Sequence, residues 1–352
     1  MQKNRNKLSK QMSFTNLKKV SNRTFLLLLP LFFSLFISLI LLTFPNKETF
    51  PYQLFDQEDY QTFQSFAYNV SVKQAYQELK TRYAQNEPKA HDFAHVVGIV
   101  SYKKSGVAGL SICDPAYNYG CYHGFIESFL QDKGVEKVFE VEKSCQGLGM
   151  IHSPSCLHGI GHGLAINASY NLRQALTDCD RLEESSQTYC WDGVFMENIV
   201  GSMLGRDQKP KIVQSELKEP CARLDKKYRE QCFRNQVRLW FSFFAGNTKK
   251  IAEECATLER EYQKTCFESM GLIIVSTSPN DQEKIIASCQ VETAEASDNC
   301  LLGAVKELMF EGKPPQIAQN LCFVTSEKTR QECFFLFQEL EKESRERFEK
   351  KT

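Results

Sequence analysis

The chain has 352 residues, with 43 Lys and Arg against 43 Asp and Glu, a formal net charge of zero. That balance excludes a dedicated nucleic-acid binder, which carries a basic excess. With 42% hydrophobic and 12% aromatic residues, the composition also excludes an acidic disordered protein.

The charge is unevenly spread. Residues 1–24 contain Lys3, Arg5, Lys7, Lys10, Lys18, Lys19 and Arg23 and no acid, while residues 25–44 carry no charge at all. The acidic excess therefore lies entirely in 45–352. A run of 20 predominantly apolar residues, rising ~1.5 Å each, covers the ~30 Å hydrocarbon core of a bilayer. The basic flank predicts a cytoplasmic tail over 1–24, a transmembrane anchor over 25–44 and an extracytoplasmic remainder. The following TFPNKETFPYQ offers no small-x-small cleavage site, so the span reads as a permanent anchor rather than a removed signal. Residues 45–64 read as a juxtamembrane tether.

Residues 71–86 and 88–103 have the pattern of a helical hairpin. From there the cysteines set the organisation. They stand at Cys113, Cys121, Cys145, Cys156, Cys179, Cys190, Cys221, Cys232, Cys255, Cys266, Cys289, Cys300, Cys322 and Cys333, and none forms a C-x-x-C pair. The last twelve make six C-x10-C pairs whose starts step by 34, 42, 34, 34 and 33 residues. Cys113 and Cys121 are a shortened version of the same pair. The 42-residue step contains a polar insertion, SMLGRDQKPK at 202–211.

A period near 34 is the size of a helix–turn–helix repeat. Each first cysteine ends an amphipathic run, as in TKKIAEEC. Each second cysteine sits inside another, where Leu224, Tyr228 and Cys232, or Leu258, Tyr262 and Cys266, recur at helical spacing. The fold expected is all-α: a solenoid of stacked αα-hairpins with period about 34, each stapled by its own C-x10-C disulfide, behind one transmembrane helix. His-rich repeats fill 65–200, further stapled repeats fill 201–340, and 341–352 is a charged tail. The length matches tetratricopeptide-type repeats, but their Trp-Leu-Gly-Tyr signature is not legible and no family follows. Seven disulfides persist only in an oxidising compartment, which agrees with the orientation set by the charges.

All six histidines lie between His91 and His162, and none follows. His91 and His95 are i,i+4 in HDFAH; His158 and His162 are i,i+4 in CLHGIGHG. Residues at that spacing share a helix face, so two imidazoles can reach one metal ion. HDFAH resembles the H-E-x-x-H of zincin metalloproteases, with Asp92 in the base position. The repeat register adds to this. His158 stands two residues after Cys156, His123 two after Cys121 and Asp192 two after Cys190, whereas the later units hold Arg234, Glu268, Leu302 and Phe335 at that offset.

The expected metal ligands are therefore His91, His95, His123, His158, His162 and Asp192, with Glu127 and Glu197 as candidate catalytic acid/base groups. Imidazole with carboxylate suits Zn, Fe, Mn or Cu without choosing among them. His152, in the loop MIHSPS, reads equally as a surface residue. The function expected is a membrane-anchored, extracytoplasmic metal-binding repeat protein, in which the metal would serve a hydrolase or an oxidoreductase. The alternatives are a non-catalytic scaffold binding a protein or peptide on the solenoid face, and a cell-surface metal-capture protein.

Overall fold

The computed structural model describes residues 57–83, 88–149, 152–203, 216–310 and 313–349. The expected cytoplasmic tail, the anchor at 25–44 and most of the 202–211 insertion lie outside these residues. Among the described residues no helix is long and apolar enough to cross a membrane. There are fifteen α-helices among them and no strand.

The first three are α1 (Gln57–Asn69), α2 (Val72–Arg82) and α3 (Pro88–Ser105). Part of the segment read as a tether is thus helical. Tyr60, Phe63 and Ala67 recur at helical spacing, and the Phe63 ring packs 4.8 Å from that of Phe93 on α3. The polar Gln, Asp and Glu residues around that short stripe hide it in the sequence. Helices α2 and α3 are the expected hairpin.

The remainder is α4 (Gly120–Lys133), α5 (Val138–Gln146), α6 (Ser153–Asn167), α7 (Leu172–Cys179), α8 (Glu184–Met203), α9 (Lys226–Phe243), α10 (Thr248–Ala256), α11 (Arg260–Thr277), α12 (Gln282–Ser288), α13 (Ala294–Phe310), α14 (Pro315–Val324) and α15 (Glu327–Glu349). Short and long helices alternate from α5 to α8 and again from α9 to α15. Asn171, Asn247 and Asp281 cap α7, α10 and α12, each accepting a hydrogen bond from the backbone N–H three residues on. A cap of this kind is worth about 1 kcal/mol. Where the repeat predicts a helix ahead of Cys221, the described residues show only a 3-10 turn, Cys221–Arg223.

Seven disulfides join the cysteines in sequence order: Cys113–Cys121 across 8 residues, and six further pairs each across 11. In α8, α9, α11, α13 and α15 the second cysteine is the seventh residue of its helix. All fourteen are buried. Each long helix packs on the next: α3 on α4, α4 on α6, α6 on α8, α8 on α9, α9 on α11, α11 on α13 and α13 on α15.

Three of these crossings bring backbone against backbone, and two of the three carry histidine. A Cβ added to Gly98 of α3 would lie 2.0 Å from the carbonyl oxygen of Cys121, and one on Gly124 of α4 2.1 Å from that of His95. Between α6 and α8 the same happens at Gly161, 2.0 Å from the Cys190 carbonyl, and at Gly193, 2.0 Å from that of His158. Only glycine permits such backbone contact. The crossing of α11 and α13 repeats it with Gly271 and Gly303, but there Glu268 and Lys306 form an ion pair at 2.7 Å.

Candidate metal centre

Helices α3, α4 and α6 bring five of the six histidines together. They form two groups whose nitrogen atoms lie within 4.8 Å of one another: His91, His95 and His123, and His123, His158 and His162. His95, His123, His158 and His162 are buried, and His91 is partly exposed. His152, at the N-terminus of α6, belongs to neither group, and neither does the buried Asp92 of HDFAH.

The first group is close to threefold. Its ring centroids are 4.8, 5.5 and 5.3 Å apart, with interplanar angles of 67°, 69° and 65°. Three imidazoles bound through one nitrogen each to a tetrahedral ion at ~2.0–2.1 Å would hold their centroids about 5.2 Å apart. The second group is less regular: the His123 ring stacks on His162 at 4.1 Å and 28°, while His123 and His158 are 6.2 Å apart.

Within each i,i+4 pair the Nε2 atoms face each other, at 3.1 Å for His91 and His95 and 2.9 Å for His158 and His162. Partners behind three of these rings fix the proton on the other nitrogen. Nδ1 of His91 donates to the carbonyl of Tyr117 at 2.7 Å, Nδ1 of His158 to Asp192 at 2.9 Å, and Nδ1 of His162 to Glu197 at 2.8 Å. This is the arrangement in which outer groups orient metal-binding imidazoles. Between His158 and His162 two lone pairs therefore face each other, and at 2.9 Å they repel unless a proton or a metal ion lies between them. His123 Nε2 is buried with no hydrogen-bond partner, a costly state for a polar nitrogen unless an ion satisfies it.

Burial pushes His91, His123 and His162 below the usual imidazole range, His123 furthest, because a charged ring there would be desolvated beside other imidazoles. Neutral imidazole is the form that binds metal. Burial would raise the Asp192 carboxyl. The hydrogen bond from His158, with the charge of Arg234 and a hydrogen bond from Asn235, holds it well below the usual range instead.

The carboxylates thus stand behind the rings. Asp192 and Glu197 face Nδ1 atoms, and neither belongs to the two groups of converging ligand atoms. Glu127 is buried one turn beyond His123 and accepts from Gln131 at 3.2 Å. The shared register is directly visible. Residues two past the second cysteine of consecutive pairs meet in order: His123 near His158, His158 bonded to Asp192, and Asp192 3.8 Å from Arg234.

Several contributors carry no sequence signal. Tyr117, Asn118 and Tyr119 are consecutive left-handed residues, with φ of 56°, 50° and 65°. Such backbone is strained in residues other than glycine and clusters at functional sites. This turn supplies the carbonyl behind His91. It also lays the Tyr119 ring 6.3 Å from His123, 5.7 Å from His158 and 5.7 Å from Phe310 of α13. Tyr170 donates to Glu197 at 3.4 Å.

The fold and site define an all-helical, disulfide-rich protein with buried histidine clusters able to hold a metal ion. No known protein family, curated protein or solved structure matches the chain.

Proposed function

We propose that this is a membrane-anchored, extracytoplasmic metalloprotein. In this reading a solenoid of disulfide-stapled hairpins follows an N-terminal span at 25–44, with residues 1–24 in the cytoplasm. A transition-metal ion (Zn, Fe, Mn or Cu) binds His91, His95 and His123. The near-equal spacing and tilt of those three imidazoles carries the reading. The seven disulfides support the location. The succession of long helices, each packed on the next, supports the solenoid.

Three protein ligands leave a fourth coordination position for water, dioxygen or substrate, the pattern of catalytic rather than structural sites. The activity that fits is a metal-dependent hydrolase or oxidoreductase. Glu127, on the same helix as His123, is the acid/base candidate, and Glu197 orients His162. A second reading, a non-catalytic scaffold for a protein partner, is favoured by Phe323 and Phe335, which are 59% and 67% exposed.

The test is metal analysis of the full-length chain purified in detergent. A bound transition metal is expected, with one equivalent lost in a His91→Ala/His95→Ala variant. Folded protein that carries no metal and takes up neither Zn²⁺ nor Co²⁺ refutes the metal centre and leaves the scaffold.

A further inference from the structure

The threefold group leaves His158 and His162 unused. They lie in an unbroken chain, from Asp192 through Nδ1 and Nε2 of His158, across 2.9 Å to Nε2 of His162, and out through its Nδ1 to Glu197. Building on the metal-centre reading, we propose that His158 and His162 form a second, separate metal position, holding a divalent transition ion between their Nε2 atoms.

Both rings have their protons fixed on Nδ1 by a carboxylate, which can only accept, so both Nε2 lone pairs point inward. Their 2.9 Å separation is near the roughly 3.3 Å between two nitrogen ligands of one tetrahedral ion. The pair also differs from His91 and His95 in what stands behind it. Two carboxylates offset the charge of a cation here, whereas His91 has a backbone carbonyl. Glu197 is buried, and its charge is therefore little screened.

His123 separates the two positions. A neutral imidazole has one ring lone pair, so His123 ligates one ion at a time. Its tilt of 65–69° to His91 and His95 suits convergence with them. Its stacking on His162, at 28°, sets the two rings nearly parallel, so their in-plane lone pairs do not converge on one point. The second ion accordingly has two protein ligands and completes its shell with water or a ligand. It is the weaker of the two, and it borders the first.

The full-length chain in detergent, stripped by chelator, is titrated with Co²⁺ and followed by its visible absorption, with Zn²⁺ as competitor. Two equivalents are expected. His158→Ala/His162→Ala removes one and spares the other. Asp192→Asn/Glu197→Gln, which keeps the packing, weakens the same equivalent about 10- to 100-fold while the tighter one is unmoved. One equivalent in the unmodified protein, retained in His158→Ala/His162→Ala, overturns the second position and leaves the first intact. Loss of all metal from folded His158→Ala/His162→Ala overturns it in favour of one shared site. If the alanine variant does not fold, an unchanged titration of Asp192→Asn/Glu197→Gln overturns it. No uptake by any form refutes the metal-centre reading itself.

Discussion

Gly124 lies so close to His95 that a methyl group on it would come within 2.1 Å of the His95 carbonyl oxygen. The next residue back, His123, shares a ligand group with His95. The same glycine contact therefore sets both the helix crossing and the ligand spacing. Gly124→Ala must push α3 and α4 apart. The expected cost is about 1–3 kcal/mol, typical of overpacking, together with weaker metal binding. Gly303→Ala is the control, because its methyl would meet the Glu268 carbonyl at 1.9 Å, in a crossing without histidine. It should cost similar stability and leave metal affinity unchanged. Urea unfolding and metal titration of the two variants separate these effects, and equal loss of metal affinity in both would break the link.

Acid should destabilise the metal-free protein over a definite window. Burial holds His91, His123 and His162 below 6.5 in the folded chain, while in the unfolded chain they titrate near that value. Between the folded and unfolded values the unfolded chain binds more protons, so stability falls as pH drops from about 6.5 and levels off below the folded values. The urea midpoint should be lower at pH 5 than at pH 7.5. His123→Gln, which removes the furthest-shifted ring, should flatten that slope. A midpoint independent of pH across the interval contradicts the buried, neutral assignment.

The cysteine spacing was enough to read the staples, because a C-x10-C pair leaves room for one turn between two helices and little else. The offset from the second cysteine likewise aligned His123, His158 and Asp192, which do meet in that order. What the spacing could not show is which atom of each residue faces which. Asp192 shares the ligand register, yet it lies behind His158, held there by Asn235 at 2.8 Å and by Arg234, the next residue in that register. Glu197 stands behind His162 for a similar reason, being reached from one side by Nδ1 and from the other by Tyr170. The carbonyl of Tyr117 was invisible because it belongs to a left-handed turn, and no residue type there requires one. Helix α1 carries little sequence signal because its apolar stripe is only a few residues long.

Tyr119 covers the centre from the loop side, touching His123 and His158, and meets Phe310, which is 191 residues further along the chain. It is thus a point where a late helix reaches the early site. Removing the ring should open the centre to solvent without removing a ligand. Tyr119→Ala is expected to retain metal at equilibrium but release it to a chelator roughly tenfold faster, since the apolar shell controls access to an ion. Phe310→Ala should move the rate in the same direction and by less. Release rates equal to the unmodified protein in both variants would show that this contact does not guard the site.

The staples should differ in consequence according to where they lie. Cys255–Cys266 joins α10 to α11, remote from the histidines, whereas Cys145–Cys156 fixes α6 two residues before His158. Replacing either pair with serine frees a short loop in the unfolded chain and should cost about 2–3 kcal/mol. Only Cys145→Ser/Cys156→Ser should also weaken metal binding, because the start of α6 is then no longer tied to α5 and the His158 ring loses its fixed height against Asp192. Urea midpoints give the first quantity and Co²⁺ titration the second. Peptide mapping of the unmodified protein must pair Cys255 with Cys266. Metal affinity lowered equally by both replacements would mean that the staples act on the whole domain rather than on the helix that carries the ligands.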